Sequence, residues 1–266
     1  MVRGKDSNKV SPIKDAEKPL ANPGDSTARE LENLTNDKFT EYYLLAVIPI
    51  AFAFLEWVTH WTNAGNLRWG FTFTAGIVTI FSIYKIYELK KTAKSYRQGL
   101  EAERSVGQGL EELRSTGAQV FHDIPADGFN IDHVLIDPTG IYVIETKSLG
   151  KIPEKNSKLI FDGKTLKING KPLDRDPVAQ VKACSVFIKE LLGKSTGKTT
   201  TVKPVALFPG WWVTSVNEGN RGDAWVLNPK AFPKWIEKRP TILADDEVHM
   251  LSMHLAMYVR DKMKAA

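Results

Sequence analysis

The chain has 266 residues, of which 25% are charged, with a formal charge of +5 and a pI near 9.1. That length holds one sizeable domain plus appendages, and the mildly basic balance suits an anionic partner or a solvated basic face. The single Cys184 excludes an intrachain disulfide and any cysteine-built metal centre, and reads as plain core.

Residues 1–40 are polar, with opposite charges that nearly cancel and little periodicity, which predicts a solvated, disordered tail without a secretory signal. Two apolar segments follow, 42–61 and 69–87. Each approaches the roughly 20 residues that cross a hydrocarbon core, and neither has the polar face of a soluble amphipathic pair. Tyr42, Tyr43, Trp57, Trp61, Trp69, Tyr84 and Tyr87 cluster at their ends as interfacial aromatics do. Two transmembrane helices within 41–88 are expected, closed by a tight link. Lys85, Lys90, Lys91, Lys94 and Arg97 follow the second span while the link holds only Arg68, so both termini are expected on the cytoplasmic side of a cell membrane. Glu56, near the end of the first span, can reach the interface.

From 88 to 113 a helix leaves the membrane, with Leu100, Val106, Leu110 and Leu113 on one stripe. Glu103 falls on that stripe, and a carboxylate there needs a partner. A strand over 119–124 precedes the most informative stretch, 130–147. There Asp137-Pro138-Thr139-Gly140 has the residue order of a type I turn between two apolar strands. With Pro138 and Thr139 at the turn centre, Ile136 faces Ile141 and Asp132 faces Glu145, with Cβ atoms roughly 4.5–5.5 Å apart. Lys147 points to the same face as Glu145. Val134, Ile136, Ile141 and Val143 make one face apolar and Leu135, Tyr142 and Ile144 the other, which places the hairpin inside a covered sheet. Two facing carboxylates there repel and take up protons unless a cation neutralises them, as Mg²⁺ with hard oxygen ligands would. The plainer reading is a Glu145–Lys147 salt bridge at a strand end, with Asp132 capping a loop. A bulge at Gly140 would turn Asp132 to the other face.

Segments 158–161 and 165–168 form a second hairpin around Asp162-Gly163-Lys164. Asp176-Pro177 starts a helix to about 192, with Val181, Cys184, Ile188 and Leu191 inward and Gln180 in its first turn. Strands are expected at 201–208, 211–216 and 224–227, and helices at 229–237 and 245–262. From 147 to 203 the chain has 13 Lys or Arg against 5 Asp or Glu. The run 193–199 superficially suggests a phosphate loop, but it has three residues between its glycines and ends a helix instead of opening one. His249 and His254 are five apart and do not form a helical ligand pair. Trp211, Trp212, Trp225 and Trp235 read as core or flank packing more readily than as base-stacking platforms.

Glu103, Asn130-Ile131-Asp132-His133, Ile144-Glu145-Thr146-Lys147 with Gly150, Asp176-Pro177-Val178-Ala179-Gln180 and Val205-Ala206-Leu207-Phe208-Pro209 form an ordered series. That series resembles the NERD (nuclease-related) domain of the PD-(D/E)XK nuclease-like superfamily, over roughly 99–209. The resemblance implies an α/β fold with a restriction-endonuclease-like mixed β-sheet flanked by helices, here preceded by a transmembrane helical hairpin. The nuclease domain is expected over 89–215; the region after about Trp211 lies beyond the resemblance, and 216–266 is expected to be a helical extension packed on the domain. By the same resemblance Asp132, Glu145 and Glu103 are metal-binding acids for Mg²⁺ or Mn²⁺, Lys147 is the catalytic lysine, and Gln180 and Glu103 complete the site. Ile131 stands where the wider superfamily has Pro, and Asp176 where Asn is more typical. The implied activity is metal-dependent phosphodiester hydrolysis of DNA, or of RNA, beside the lipid bilayer. The alternative of a different class is a membrane-tethered nucleic-acid-binding or scaffold protein that keeps the fold without turnover.

Overall fold

A computed structural model describes residues 20–61, 68–150, 158–173, 175–198, 200–215 and 223–265. The organising pair is β2 (Asn130–Asp137) and β3 (Gly140–Thr146), antiparallel with Ile136 opposite Ile141 and His133 opposite Ile144, as the turn residues predict. Gly140 sits at positive φ beside the turn without shifting this register. The Asp137 side chain accepts from the Thr139 N–H at 2.8 Å and so closes the turn. β1 (Gln119–Pro125) pairs antiparallel on the outer side of β2. β7 (Val202–Leu207) and β9 (Trp225–Leu227) extend the sheet parallel to β3, in the order β1-β2-β3-β7-β9. A parallel neighbour needs a long crossover, which is supplied by the intervening strands and the long helix that ends at Thr196. β4 (Leu159–Phe161), β5 (Leu166–Ile168), β6 (Lys171–Pro172) and β8 (Val213–Ser215) form a second, smaller sheet.

Six helices surround these strands among the described residues: α1 (Asp25–Asn33), α2 (Phe39–Trp61), α3 (Arg68–Glu111), α4 (Pro177–Thr196), α5 (Phe232–Glu237) and α6 (Asp245–Ala265). Val134, Ile136, Ile141 and Val143 pack against Val181 and Ile188 of α4 and Leu251 and Leu255 of α6. On the opposite face Leu135, Tyr142 and Ile144 meet Val106 and Leu110 of α3 and Phe232 of α5. Burying side chains of this size contributes about 1.5–3 kcal/mol each, so both faces help hold the central hairpin in place.

The residues at 25–38 are not a disordered tail. α1 continues through one π-turn, Leu34–Lys38, into α2. Composition lacked that signal because α1 is held by contacts with distant residues. The last 51 residues are likewise more than an extension. β9 is a strand of the main sheet, and Val248, Leu251, Leu255 and Val259 of α6 lie in the central core.

One helical run, Asp25–Thr59, is long and apolar enough to cross a membrane, and only 11% of its most apolar stretch is buried. A core helix of a soluble domain would be covered, so the run supports a membrane anchor. The second span, expected at 69–87, is the first half of α3, and among the described residues only the first run meets the length and apolarity required. Gly70, Thr72, Thr74, Gly76, Thr79, Ser82 and Lys85 dilute that second stretch. It nonetheless lies against α2, where the Trp57 indole donates to the Thr72 hydroxyl at 2.9 Å. It also turns Phe73, Ile77, Ile80 and Ile83 outward, as α2 does Leu44, Ile48, Phe54 and Leu55.

Candidate active site

Asp132 and Glu145 face one another across the open end of the β2–β3 hairpin. Glu145 is buried and Asp132 half-buried. The Asp132 Oδ2 accepts the Thr146 N–H at 2.7 Å, which fixes its carboxylate toward β3. Lys147 Nζ stands 2.7 Å from Glu145 Oε1, and the Lys147 N–H donates to the Leu207 carbonyl at 2.9 Å. Gln180 arrives from α4. Asp176 caps that helix by accepting from the Val178 and Ala179 N–H groups at 2.9 and 3.0 Å, which sets the first turn and aims the Gln180 amide at Glu145 Oε1, 2.8 Å away.

Glu103 reaches the same cleft from α3. Asp132, Glu145, Lys147, Gln180 and Glu103 all line it, with Asn130, Arg175 and Lys91, and its volume is about 1730 Å³. The five site residues are therefore gathered on one cavity. A sequence reading alone would not have found the partner of Glu103. The Thr27 hydroxyl of α1 lies 3.2 and 3.1 Å from its two carboxylate oxygens. Asp123 of β1 was also missed. Its buried carboxylate accepts from the Ser26 N–H at 2.8 Å and from the Ser26 hydroxyl, so it serves as the N-cap that Gly24 cannot provide. The run Pro23-Gly24-Asp25-Ser26 was the available hint of a helix start.

Charge is crowded here. Burial, then repulsion from Glu145 and Glu103, holds the Asp132 carboxyl well above the usual carboxylate range. Burial raises Glu145 too, opposed by the Lys147 ammonium. Burial pushes Glu103 up to about 7, against the hydrogen bond from Thr27. A dication would relieve all three shifts, and Asp132 and Glu145 supply the hard oxygens it prefers. Among the described residues no three acidic, His or Cys side chains already stand close enough together to hold a metal ion. Glu103 is instead committed to Thr27, and one Glu145 oxygen to Lys147 and Gln180.

Behind the site, His122 and His133 pair through their Nδ1 atoms at 2.9 Å, and His122 Nε2 lies 2.7 Å from Glu111 Oε1 at the end of α3. Burial keeps both rings below the usual imidazole range, opposed at His122 by the Glu111 carboxylate. The chain of contacts ties α3, which carries Glu103, to the strand that carries Asp132.

The basic surplus over 147–203 is partly used inside the fold. Lys198 pairs with Glu247 of α6 at 2.7 Å, and Lys167 with Asp162 at 3.6 Å. Lys151 and Lys155 lie outside the described residues. Of the glycine run, the described residues 193–198 end α4, where Gly197 takes the left-handed C-cap and donates to the Gly193 carbonyl, unlike a phosphate loop that opens a helix.

Residues 98–209 match the family model of the nuclease-related domain, NERD. No curated protein and no solved structure matches the chain.

Proposed function

On the premise that the chain carries a nuclease-related domain over 98–209, we propose that it is a membrane-anchored, metal-dependent nuclease that hydrolyses phosphodiester bonds of DNA, or of RNA, at the cytoplasmic face. The observation that carries this reading is the convergence of Glu103, Asp132, Glu145, Lys147 and Gln180 on one cleft from two helices, α3 and α4, and from the two strands β2 and β3. Asp132 and Glu145 would hold Mg²⁺ or Mn²⁺, with Glu103 completing the set once it leaves Thr27. Such an ion supplies Lewis-acid polarisation of the scissile phosphate and an ionised water at neutral pH.

The protein's own groups do the rest. Lys147 lies beside Glu145, at the edge of the cleft, where its ammonium offsets charge developing on the phosphoryl oxygens. Gln180 holds the Glu145 carboxylate in one orientation, as outer partners of metal-binding acids do. Arg175 and Lys91 in the cleft wall would contact backbone phosphates irrespective of sequence, which gives salt-sensitive binding. The apolar run Asp25–Thr59, together with the outward apolar face of the first half of α3, supports a two-helix anchor, and the excess of Lys and Arg after the second stretch favours both termini in the cytoplasm.

The test uses the full chain in detergent or nanodiscs on supercoiled plasmid, with Mg²⁺ or with chelator. Cleavage that requires the metal and falls at least about 100-fold in Glu145→Ala is expected. Cleavage by Glu145→Ala at the parent rate, or none by the parent and none by Thr27→Val, which frees Glu103, refutes the hydrolase reading.

A further inference from the structure

Glycines mark where α1 is pressed against the domain. Pro23 lies so close to Gly107 of α3 that a Cβ at 107 would collide with its ring. Gly24 is at φ 76, and a Cβ there would meet Leu100 Cδ1 at 2.6 Å and Glu103 Oε2 at 3.0 Å. Asp123, which receives the α1 amide, is one of two described non-glycine residues at positive φ, at 49° in the middle of β1. Few side chains other than Gly, Asn and Asp adopt such a backbone, and here the surroundings hold it. Here the holding contacts are Ser26, whose N–H and hydroxyl both reach its carboxylate, and Arg29 at 3.8 Å. A buried acid held at an uncommon positive φ and turned to a segment nearly a hundred residues away is a built receptor for that segment.

What the segment covers is the acid site. Thr27 occupies both oxygens of Glu103, and Ser26, Thr27 and Glu30 line the same cleft as Asp132, Glu145 and Lys147. The next feature in the chain is the Leu34–Lys38 π-turn, which joins α1 to the helix that supports membrane anchoring. A single π-turn inside a helix interrupts its regular hydrogen bonding and is frequent at functional sites.

We propose that the segment 22–29 is an autoinhibitory latch, docked by Asp123 and Gly107, which holds Glu103 away from the other acids and is released through the anchor helix. The metal-binding part rests on the nuclease reading above. The docked state is therefore the resting state, and the acids form a cation-holding group only after the Thr27–Glu103 contact opens. A pull on, or a tilt of, the anchor helix is transmitted through the π-turn to Ser26 and Thr27.

Three variants of the full chain in nanodiscs test the latch. Gly107→Ala puts a methyl into Pro23 while favouring the helix itself. Asp123→Gly removes the cap and accepts the positive φ without strain. Thr27→Val removes only the hydroxyl on Glu103. Hydrogen exchange of amides 25–30 is expected to speed up at least tenfold in the first two. Mn²⁺ affinity by calorimetry and plasmid cleavage are expected to rise at least tenfold in all three. Unaltered exchange in Gly107→Ala and Asp123→Gly, or faster exchange with Mn²⁺ affinity unchanged or lower, overturns the latch. Tighter Mn²⁺ binding without cleavage by parent or variants keeps the latch and removes the hydrolase.

Discussion

Replacing Glu103 by Gln in metal-free protein isolates the electrostatic strain of the acid site. In the folded chain burial holds the Glu103 carboxyl at about 7, against 4.5 for an ordinary glutamate. An unfolded chain therefore gives up this proton first as pH rises, and stability falls across that interval. Below about 4.5 both states keep the proton and no penalty exists; above about 7 the penalty is complete. At about 1.36 kcal/mol per pH unit the interval amounts to about 3 kcal/mol. Partial exposure of the carboxylate screens that to about 1–2 kcal/mol. Gln keeps the shape and still accepts from Thr27, so Glu103→Gln is expected to stabilise by about 1–2 kcal/mol at pH 8 and by almost nothing at pH 4.5. Thermal unfolding followed by tryptophan fluorescence with chelator present reads this directly, at about 2–4 °C per kcal/mol for a unit of this size. An equal shift at both pH values, or a loss of stability at pH 8, refutes the account of Glu103 as a carboxyl that burial holds protonated.

Leu255→Ala is expected to lower stability by about 2–5 kcal/mol, because the side chain is fully buried in the central core; a loss below 1 kcal/mol in denaturant titration would mean α6 is dispensable to the domain. Asp176→Ala removes two hydrogen bonds at the start of α4 and is expected to cost about 1 kcal/mol. Metal-dependent cleavage is expected to weaken with it, since Gln180 sits one turn on; activity unchanged beside a measurable loss of stability would separate the cap from the site.

Local chemistry explains which parts were legible beforehand. Asp137-Pro138-Thr139-Gly140 dictated the hairpin register, and with it the meeting of Asp132 and Glu145, because turn preferences act between neighbours. Asp176-Pro177 announced α4 in the same way. Glu103 was suspect because an acid on an apolar stripe is a conflict, yet its partner Thr27 is 76 residues away and nothing local points to it. The docking of α1 was hidden for the same reason: its cap comes from β1, not from its own flank. The 225–227 strand was visible as apolar, but only parallel pairing with β7 shows that it closes the sheet.

α3 runs for 44 residues without a break, from its apolar first half to the rear of the cleft that holds the acids. Sixteen residues separate Tyr87 from Glu103, a rise of about 24 Å at ~1.5 Å per residue. On the proposed reading, a stiff mast of that height would fix the stand-off of the acid cleft above a bilayer. Polymers that graze the lipid surface fall within its reach, while those deeper in the cytoplasm do not, so the enzyme would patrol a thin shell, not the cell volume.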